Sequence, residues 1–182
     1  MFEILSVPII NAKRIRYWDL AATTAQEGKD PDWTVGLRMA RTPTGEYIIE
    51  HVERFRGAPA TVERTIMNTA IADGKATQIG LPQDPGSAGK AYAQTLAKML
   101  TGWNVKIERE TGDKATRASP FSAQCEAGNV SVVQGSWNND YFNELENFPS
   151  AKSHDDQVDS SSGAFNMLNE IKTMQVLKIG GL

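Results

Sequence analysis

The sequence has little cysteine and no long apolar run. Its single cysteine, Cys125, excludes an internal disulfide framework and is typical of a reducing compartment. No apolar stretch approaches the roughly 18 residues of a membrane-spanning helix. Residues 1–5 lack a basic segment, and their apolar run is too short for a signal peptide. These absences predict a soluble, intracellular protein that is not secreted and does not contact a membrane.

A strong overall charge is also lacking. The 182 residues include 19 Lys and Arg against 22 Asp and Glu, for a net charge of −3. The overall balance therefore does not indicate nucleic-acid binding, and any such binding must come from local patches. The length suits one domain with a proper core.

The hydrophobic pattern predicts strands and helices in a definite order. Three strands joined by short connections are typical of an antiparallel meander, and they are predicted at 15–22, 33–40 and 47–55. Helices then alternate with strands: helices at 59–73, 88–100, 114–127, 140–148 and 160–170, strands at 78–83, 105–110 and 130–134. Residues 1–14 are predicted as a lead-in, 15–172 as the domain and 173–182 as a tail. The order predicts an α/β fold: a mixed sheet, with three antiparallel strands and then parallel strands, and helices on both faces.

Acidic residues are concentrated just before the last predicted helix. His154, Asp155, Asp156 and Asp159 lie within six residues, and Ser153 is a candidate N-cap. A helix N-terminus stabilises one or two carboxylates through its dipole. Three carboxylates exceed that need, so we expect half of a divalent-metal site here.

Two acids elsewhere could supply the other half. Asp19 lies inside an otherwise apolar and aromatic strand, where a carboxylate is costly unless it is paired or binds a cation. Asp84 lies at the carboxyl end of a later strand, where α/β sheets gather ligand sites. Oxygen ligands from three elements suit Mg²⁺ or Mn²⁺, and two such ions can promote hydrolysis of a phosphodiester.

Each acid also has a purely structural interpretation. Asp84 could belong to a turn with Pro85 and Gly86, and Asp19 could pair with Arg16 or Arg38. Asp155 and Asp156 could simply cap the helix. Each alternative is credible singly, and all three together are less so.

Five motifs in order resemble one family. The chain is similar to the nuclease domain of the large terminase subunit of tailed bacteriophages, the DNA-packaging motor protein. The resemblance covers about residues 15–170, and its motifs are RYWDLA (16–21), QDPGSAGK (83–90), GDKATRA (112–118), QCEAGNV (124–130) and HDDQVD (154–159).

The resemblance implies a ribonuclease H-like fold and metal-dependent endonuclease cutting of concatemeric phage DNA. It implies that Asp19 and Asp84 are the first two metal ligands and that Asp155 or Asp156 is the third. Asp159 could replace the third ligand or contact it. His154 would contact a ligand or face the DNA. An Mg²⁺ or Mn²⁺ two-ion site follows, with double-stranded DNA as the substrate.

Basic residues between the second and third acidic motifs are the candidates for DNA contact. Lys90, Lys114 and Arg117 are expected to contact phosphates, and Lys114 and Arg117 share a helical face. An ordinary solvated face is the alternative for any one of them.

The family's larger proteins carry an ATPase domain ahead of the nuclease. Residues 86–90 superficially suggest a phosphate-binding loop, but Asp84 and Ala91 occupy positions that require Gly and Ser or Thr. We therefore expect an isolated nuclease domain without ATPase activity. An ATPase domain, a portal and a small terminase subunit are the expected partners of the longer protein, in the cytoplasm of an infected bacterium.

Two other functions remain open from the sequence. One is a junction-resolving endonuclease that uses the same acids. The other is a non-catalytic docking module whose acids bind a structural cation.

Overall fold

The computed structural model describes residues 2–21, 32–84, 86–109, 112–150 and 154–179, with side chains of the last helix described as far as Glu170. The strands are β1 (Glu3–Leu5), β2 (Lys13–Asp19), β3 (Thr34–Arg41), β4 (Tyr47–Phe55), β5 (Gln78–Gln83), β6 (Val105–Arg109) and β7 (Val130–Val133). The helices are α1 (Pro59–Asp73), α2 (Ser87–Met99), α3 (Lys114–Glu126), α4 (Asn138–Asn147) and α5 (Asp156–Ile179). No helix within these ranges combines the length and apolar character that crossing a membrane requires.

The strands form one mixed sheet in the order β1-β7-β4-β3-β2-β5-β6. β2, β3 and β4 pair antiparallel, as short connections between successive strands allow. β5 pairs parallel with β2 and β6 parallel with β5, while β7 lies parallel to both β4 and β1. The predicted mixed sheet, with antiparallel strands first and parallel strands after, is confirmed.

Each face of the sheet is covered by helices. α3, α4 and α5 enclose one core cluster, which includes Tyr17, Leu37 and Phe165. α1 and α2 enclose the other, around Trp18 and Leu81. Neighbouring residues Tyr17 and Trp18 lie in opposite clusters because side chains alternate across a strand.

Close packing fixes α5 against β2. A Cβ added at Gly163 of α5 would lie 2.3 Å from the Tyr17 ring, and one at Gly80 of β5 would lie 2.5 Å from both Tyr17 and Met167. The absence of side chains at Gly163 and Gly80 therefore lets the Tyr17 ring lie directly between the sheet and the helix. This contact determines where the first turn of α5 lies relative to the sheet.

Several helix and strand boundaries differ from the predicted ones. The lead-in 1–14 contributes β1 and the start of β2. α5 begins at Asp156 instead of 160, and it continues to Ile179 through most of the predicted tail. The early start has a tertiary cause: the Glu144 carboxylate of α4 accepts hydrogen bonds from the backbone N–H groups of Gln157 (2.6 Å) and Val158 (3.4 Å). Ser153, the predicted N-cap, lies outside the described residues.

A buried ionic network lies on the face covered by α1. Arg16, only 2 % exposed, binds both oxygens of Asp73 at 2.7 and 2.8 Å. Arg38 bridges Asp73 and Glu50, and Arg14 also binds Glu50. Burial acts to raise the pKa of Asp73, but the hydrogen bonds and charges of Arg16 and Arg38 outweigh it and the pKa is lowered. Arg16 and Arg38 thus both form ion pairs with Asp73.

His51 of β4 belongs to the same network as a neutral acceptor. Arg16 Nη1 lies 3.1 Å from His51 Nδ1, and a guanidinium can only donate, so Nδ1 carries no proton. Burial first, and then the charges of Arg16 and Arg38, lower the pKa of His51 to about 4, although Asp73 opposes them.

A pH dependence of stability follows from His51. Between about pH 6.5 and pH 4 the unfolded chain protonates His51 and the folded chain does not, so the free energy of unfolding decreases as the pH falls through this range. In His51→Gln this decrease should be smaller. Urea unfolding of both proteins at pH 7, 5.5 and 4.5 measures it, and parallel pH profiles would contradict the assignment.

Candidate metal centre

Asp19 and Asp84 lie at the carboxyl ends of neighbouring parallel strands. β2 and β5 pair with Tyr17 opposite Gly80; Asp19 is the last residue of β2, and Asp84 follows the last residue of β5. Tyr17 and Gly80 both face α5. Side chains two or four residues apart on a strand point to the same face of the sheet. Asp19, two residues after Tyr17, therefore lies on the face covered by α5. Asp84, four residues after Gly80, is expected on the same face, just beyond the end of β5.

The first turn of α5 lies at the same end of the sheet. Gly163 packs on Tyr17 and Met167 packs on Gly80. Near the start of β4, the Tyr47 hydroxyl donates a hydrogen bond to Asn169 Oδ1 at 2.8 Å. α5 therefore runs from the Asp19 end of β2 toward its beginning. Asp159 precedes Gly163 by about one turn, roughly 6 Å, which is close to the rise from Tyr17 to Asp19. Asp159 thus lies near the level of Asp19.

Two acids of this turn share one cation. Lys114 Nζ of α3 lies 2.7 Å from Asp155 Oδ1 and 2.8 Å from Asp159 Oδ2, and Arg117 Nη2 lies 3.1 Å from Asp159 Oδ1. Partial burial acts to lower the pKa of Lys114, but the hydrogen bonds and charges of both carboxylates outweigh it and the pKa is raised. The carboxylates of Asp155 and Asp159 therefore converge on a single positive charge.

Asp156 has a different environment from its neighbours. It is 6 % exposed, its Oδ2 accepts from the Trp33 backbone N–H at 3.2 Å, and His154 Nδ1 lies 3.6 Å away. Burial raises the pKa of Asp156, the nearby acids Asp32 and Asp155 raise it further, and the Trp33 N–H and His154 oppose them. The sequence alone could not assign different environments to Asp155, Asp156 and Asp159, but their contacts in the structure do.

A close approach holds the Asp84 backbone. A Cβ on Gly89, in the first turn of α2, would lie 2.7 Å from both the Cβ and the backbone oxygen of Asp84. Gly89 therefore lets α2 begin directly beside Asp84, which is itself exposed. Across the described ranges, no group of three or more His, Cys, Asp or Glu side chains is arranged so that it could hold a metal ion. The acids thus gather at one end of the sheet without forming a finished three-acid cage.

The basic residues predicted to contact DNA fall into two groups. Lys90 is exposed on the first turn of α2, close in sequence to Asp84. Lys114 and Arg117 instead contact the acids of α5. Their role as phosphate contacts stays a prediction.

Two residues important at this end were missed in the sequence. Glu144 is buried, which raises its pKa, and it accepts hydrogen bonds from the N-terminus of α5. Trp33 joins β3 to Asp156 through its backbone. A Glu in a polar, amphipathic helix carries no sequence signal for this contact, because its partner is 13 residues away in another helix.

The sequence matches the family described as "Terminase RNaseH-like domain" over residues 16–168. This span includes most of the described residues and all the acids discussed above. The chain belongs to this family. No curated protein matches the chain.

Solved structures share the fold of this terminase RNaseH-like domain. The human cytomegalovirus terminase nuclease domain, Mn soaked and inhibitor bound, has a TM-score of 0.64 at 13% identity, with 90% of this chain and 86% of that one covered. The large terminase nuclease of thermophilic phage G20c with bound magnesium gives 0.59 at 20% identity, over 90% and 92%. The fowlpox virus resolvase, in complex with Holliday junction DNA, gives 0.51 at 12% identity, over 87% and 98%.

The predicted ribonuclease H-like fold is thus confirmed for this member of the family. Family membership and the shared fold together support a nuclease of the ribonuclease H-like superfamily. The G20c nuclease has also been solved with zinc and with cobalt, so related nuclease domains bind divalent ions.

Proposed function

We propose that this domain is a divalent-metal-dependent DNA endonuclease that cuts concatemeric phage DNA during genome packaging. The observation that supports this most directly is the meeting of three elements: the carboxyl ends of β2 and β5 and the first turn of α5, each with an acid at that end. Carboxylates from separate parts of the chain gather at one end only where a positive charge compensates them.

The side chains fit a hard divalent ion in their chemistry. Asp155 and Asp159 converge on one cation, the Lys114 ammonium, and this arrangement supports their use as a donor pair. All the candidate donors are carboxylate oxygens, as Mg²⁺ and Mn²⁺ prefer. Asp19 and Asp84 would complete the set, with Asp156 as the alternative ligand from α5. When bound, two such ions stabilise the charge on the attacking and leaving oxygens of a phosphodiester.

The residues around the acids hold them in position. Glu144 and the Trp33 N–H fix the start of α5, so that Asp155, Asp156 and Asp159 have defined directions. Gly163 keeps this turn close to β2. Lys114 and Arg117 balance the negative charge of the turn, and His154 lies beside Asp156. A domain with this arrangement is preorganised for a charged substrate.

Plasmid nicking tests the proposal. Purified domain should convert supercoiled plasmid to open-circular and linear forms with Mn²⁺ or Mg²⁺, and EDTA should prevent this. Nicking that persists in EDTA would exclude metal dependence, and no nicking with any divalent ion would favour the docking module.

A junction-resolving endonuclease is the second candidate, because the fowlpox resolvase shares the fold. The two functions differ in substrate shape. Symmetric cutting of a four-way junction, in preference to a linear duplex of the same sequence, would favour the resolvase.

Lys114 should compete with metal binding. Its ammonium neutralises Asp155 and Asp159, so an ion that uses either carboxylate must displace it or share the charge. In Lys114→Met we expect several-fold tighter Mn²⁺ binding without DNA, measured by calorimetry. Lys98→Met, on exposed α2 surface, is the matched control and should bind as the unaltered domain does. Weaker binding in Lys114→Met would contradict competition.

The wider context belongs to the same proposal. The domain, to which β1 adds an edge strand, would act within a large terminase subunit that also carries an ATPase domain. It would meet a portal and a small terminase subunit in the cytoplasm of the infected bacterium.

A further inference from the structure

A stack of one aromatic ring and two cations lies beside the acids. The Arg54 guanidinium carbon is 4.0 Å from the centroid of the Trp33 ring, and that of Arg56 is 3.9 Å from the same centroid. Both guanidinium groups therefore pack against the same indole. Arg54, Trp33 and Arg56 are called here the arginine stack.

The arginine stack is tied to the candidate metal centre. The Trp33 backbone N–H donates to Asp156 Oδ2 at 3.2 Å, and His154 lies between Arg56 Nη2 (3.4 Å) and Asp156 Oδ2 (3.6 Å). The His154 ring also packs edge-on against Trp33. A group bound by the arginine stack would therefore lie next to the acids of α5.

Arg54 and Arg56 bring two positive charges together beside one ring. Arg54 forms a long ion pair with Asp140, whose side chain is 70 % exposed, at 3.5 Å. Exposed ion pairs of this length contribute little, so an anion with better geometry can replace Asp140. Stacking on the indole fixes the planes of both guanidinium groups before any ligand binds.

We propose that the arginine stack binds the phosphates of one DNA strand beside the cutting site. This inference rests on the proposed function for its substrate. Planar guanidinium groups bind phosphate through two parallel hydrogen bonds, and fixed planes lose less entropy on binding. A strand held by Arg54 and Arg56 would bring an adjacent phosphate close to Asp156, which accepts a hydrogen bond from the Trp33 backbone. Arg54 and Arg56 are positioning residues in this scheme, and they recognise the sugar-phosphate backbone whatever the base sequence.

Binding of a short fluorescein-labelled DNA duplex, measured by anisotropy in EDTA, tests the arginine stack without cutting. Arg54→Gln and Arg56→Gln should each weaken binding about tenfold at low salt, because each removes one charged hydrogen-bonding group. Affinity falls as salt rises, and each substitution should make this fall less steep, by about 0.9 in the slope of log affinity against log salt. Lys98→Gln, which removes one positive charge from α2, should change neither quantity.

Two further variants separate charge from stacking. Arg56→Lys keeps the charge and should keep the salt slope, but it loses the plane and should bind more weakly than the unaltered domain. Trp33→Phe keeps a ring and should bind better than Trp33→Leu. Thermal melting of each variant identifies any loss of folding.

The outcomes distinguish this inference from the proposed function. Weakened binding in both glutamine variants supports the arginine stack even if the domain nicks no plasmid. Binding equal to that of Lys98→Gln would overturn the arginine stack while leaving nicking untouched. A domain that binds no duplex at low salt also overturns it.

Discussion

Asp19→Asn is expected to lose Mn²⁺-dependent nicking by at least about 10²–10³-fold, the typical cost of removing one group that stabilises transition-state charge. The substitution keeps the shape of the side chain and removes its charge. Asp19 ends β2 on the face covered by α5, at the level of Asp159. Asp84→Asn, at the end of the neighbouring strand, should cost a similar amount. Initial rates of plasmid nicking under excess Mn²⁺ measure both.

The control for this series is Glu126→Gln, an equally conservative change at the exposed end of α3. It should nick at the unaltered rate. Full activity in Asp19→Asn or Asp84→Asn would remove that residue from the site. The same substitution at Asp155, Asp156 and Asp159 would rank the acids of α5, and a melting temperature close to that of the unaltered domain shows that a loss of rate is chemical.

Asp73→Ala is expected to destabilise the domain by about 3–5 kcal/mol, because it leaves Arg16 buried and without its carboxylate. For a chain of this length the melting temperature should fall by roughly 6–20 °C. Calorimetry at pH 7 measures the change. The effect should be much larger than that of an ordinary surface substitution, since Arg16 is almost fully enclosed by β2, β3 and α1.

Asp140→Ala is the matched control. Its side chain is 70 % exposed and its ion pair with Arg54 is long, so its effect on unfolding should stay within about 0.5 kcal/mol. Asp73→Asn should lie between the two, because it keeps one acceptor for Arg16 and loses the charge. Equal melting temperatures for Asp73→Ala and the unaltered domain would show that the network contributes nothing to stability.

The order of strands and helices could be predicted from the sequence because local patterns determine it. Alternating apolar residues in β3 and β4, turn residues between them and helical spacing in α1 and α2 depend on neighbours a few positions apart. The boundaries of α5 were wrong because its start depends on Glu144, a residue of another helix. β1 was missed because three residues paired with β7 leave almost no periodic signal.

The sequence by itself determined the family, the mixed sheet and the candidates Asp19, Asp84, Asp155, Asp156 and Asp159, since motifs and unusual local charge are properties of the chain. Only the tertiary structure decided how these acids differ: Asp155 and Asp159 share Lys114, whereas Asp156 binds the Trp33 backbone. It alone brought Arg16 to Asp73 and both arginines to Trp33. Such contacts join residues dozens of positions apart, and they form only when strand register and helix packing bring their elements together.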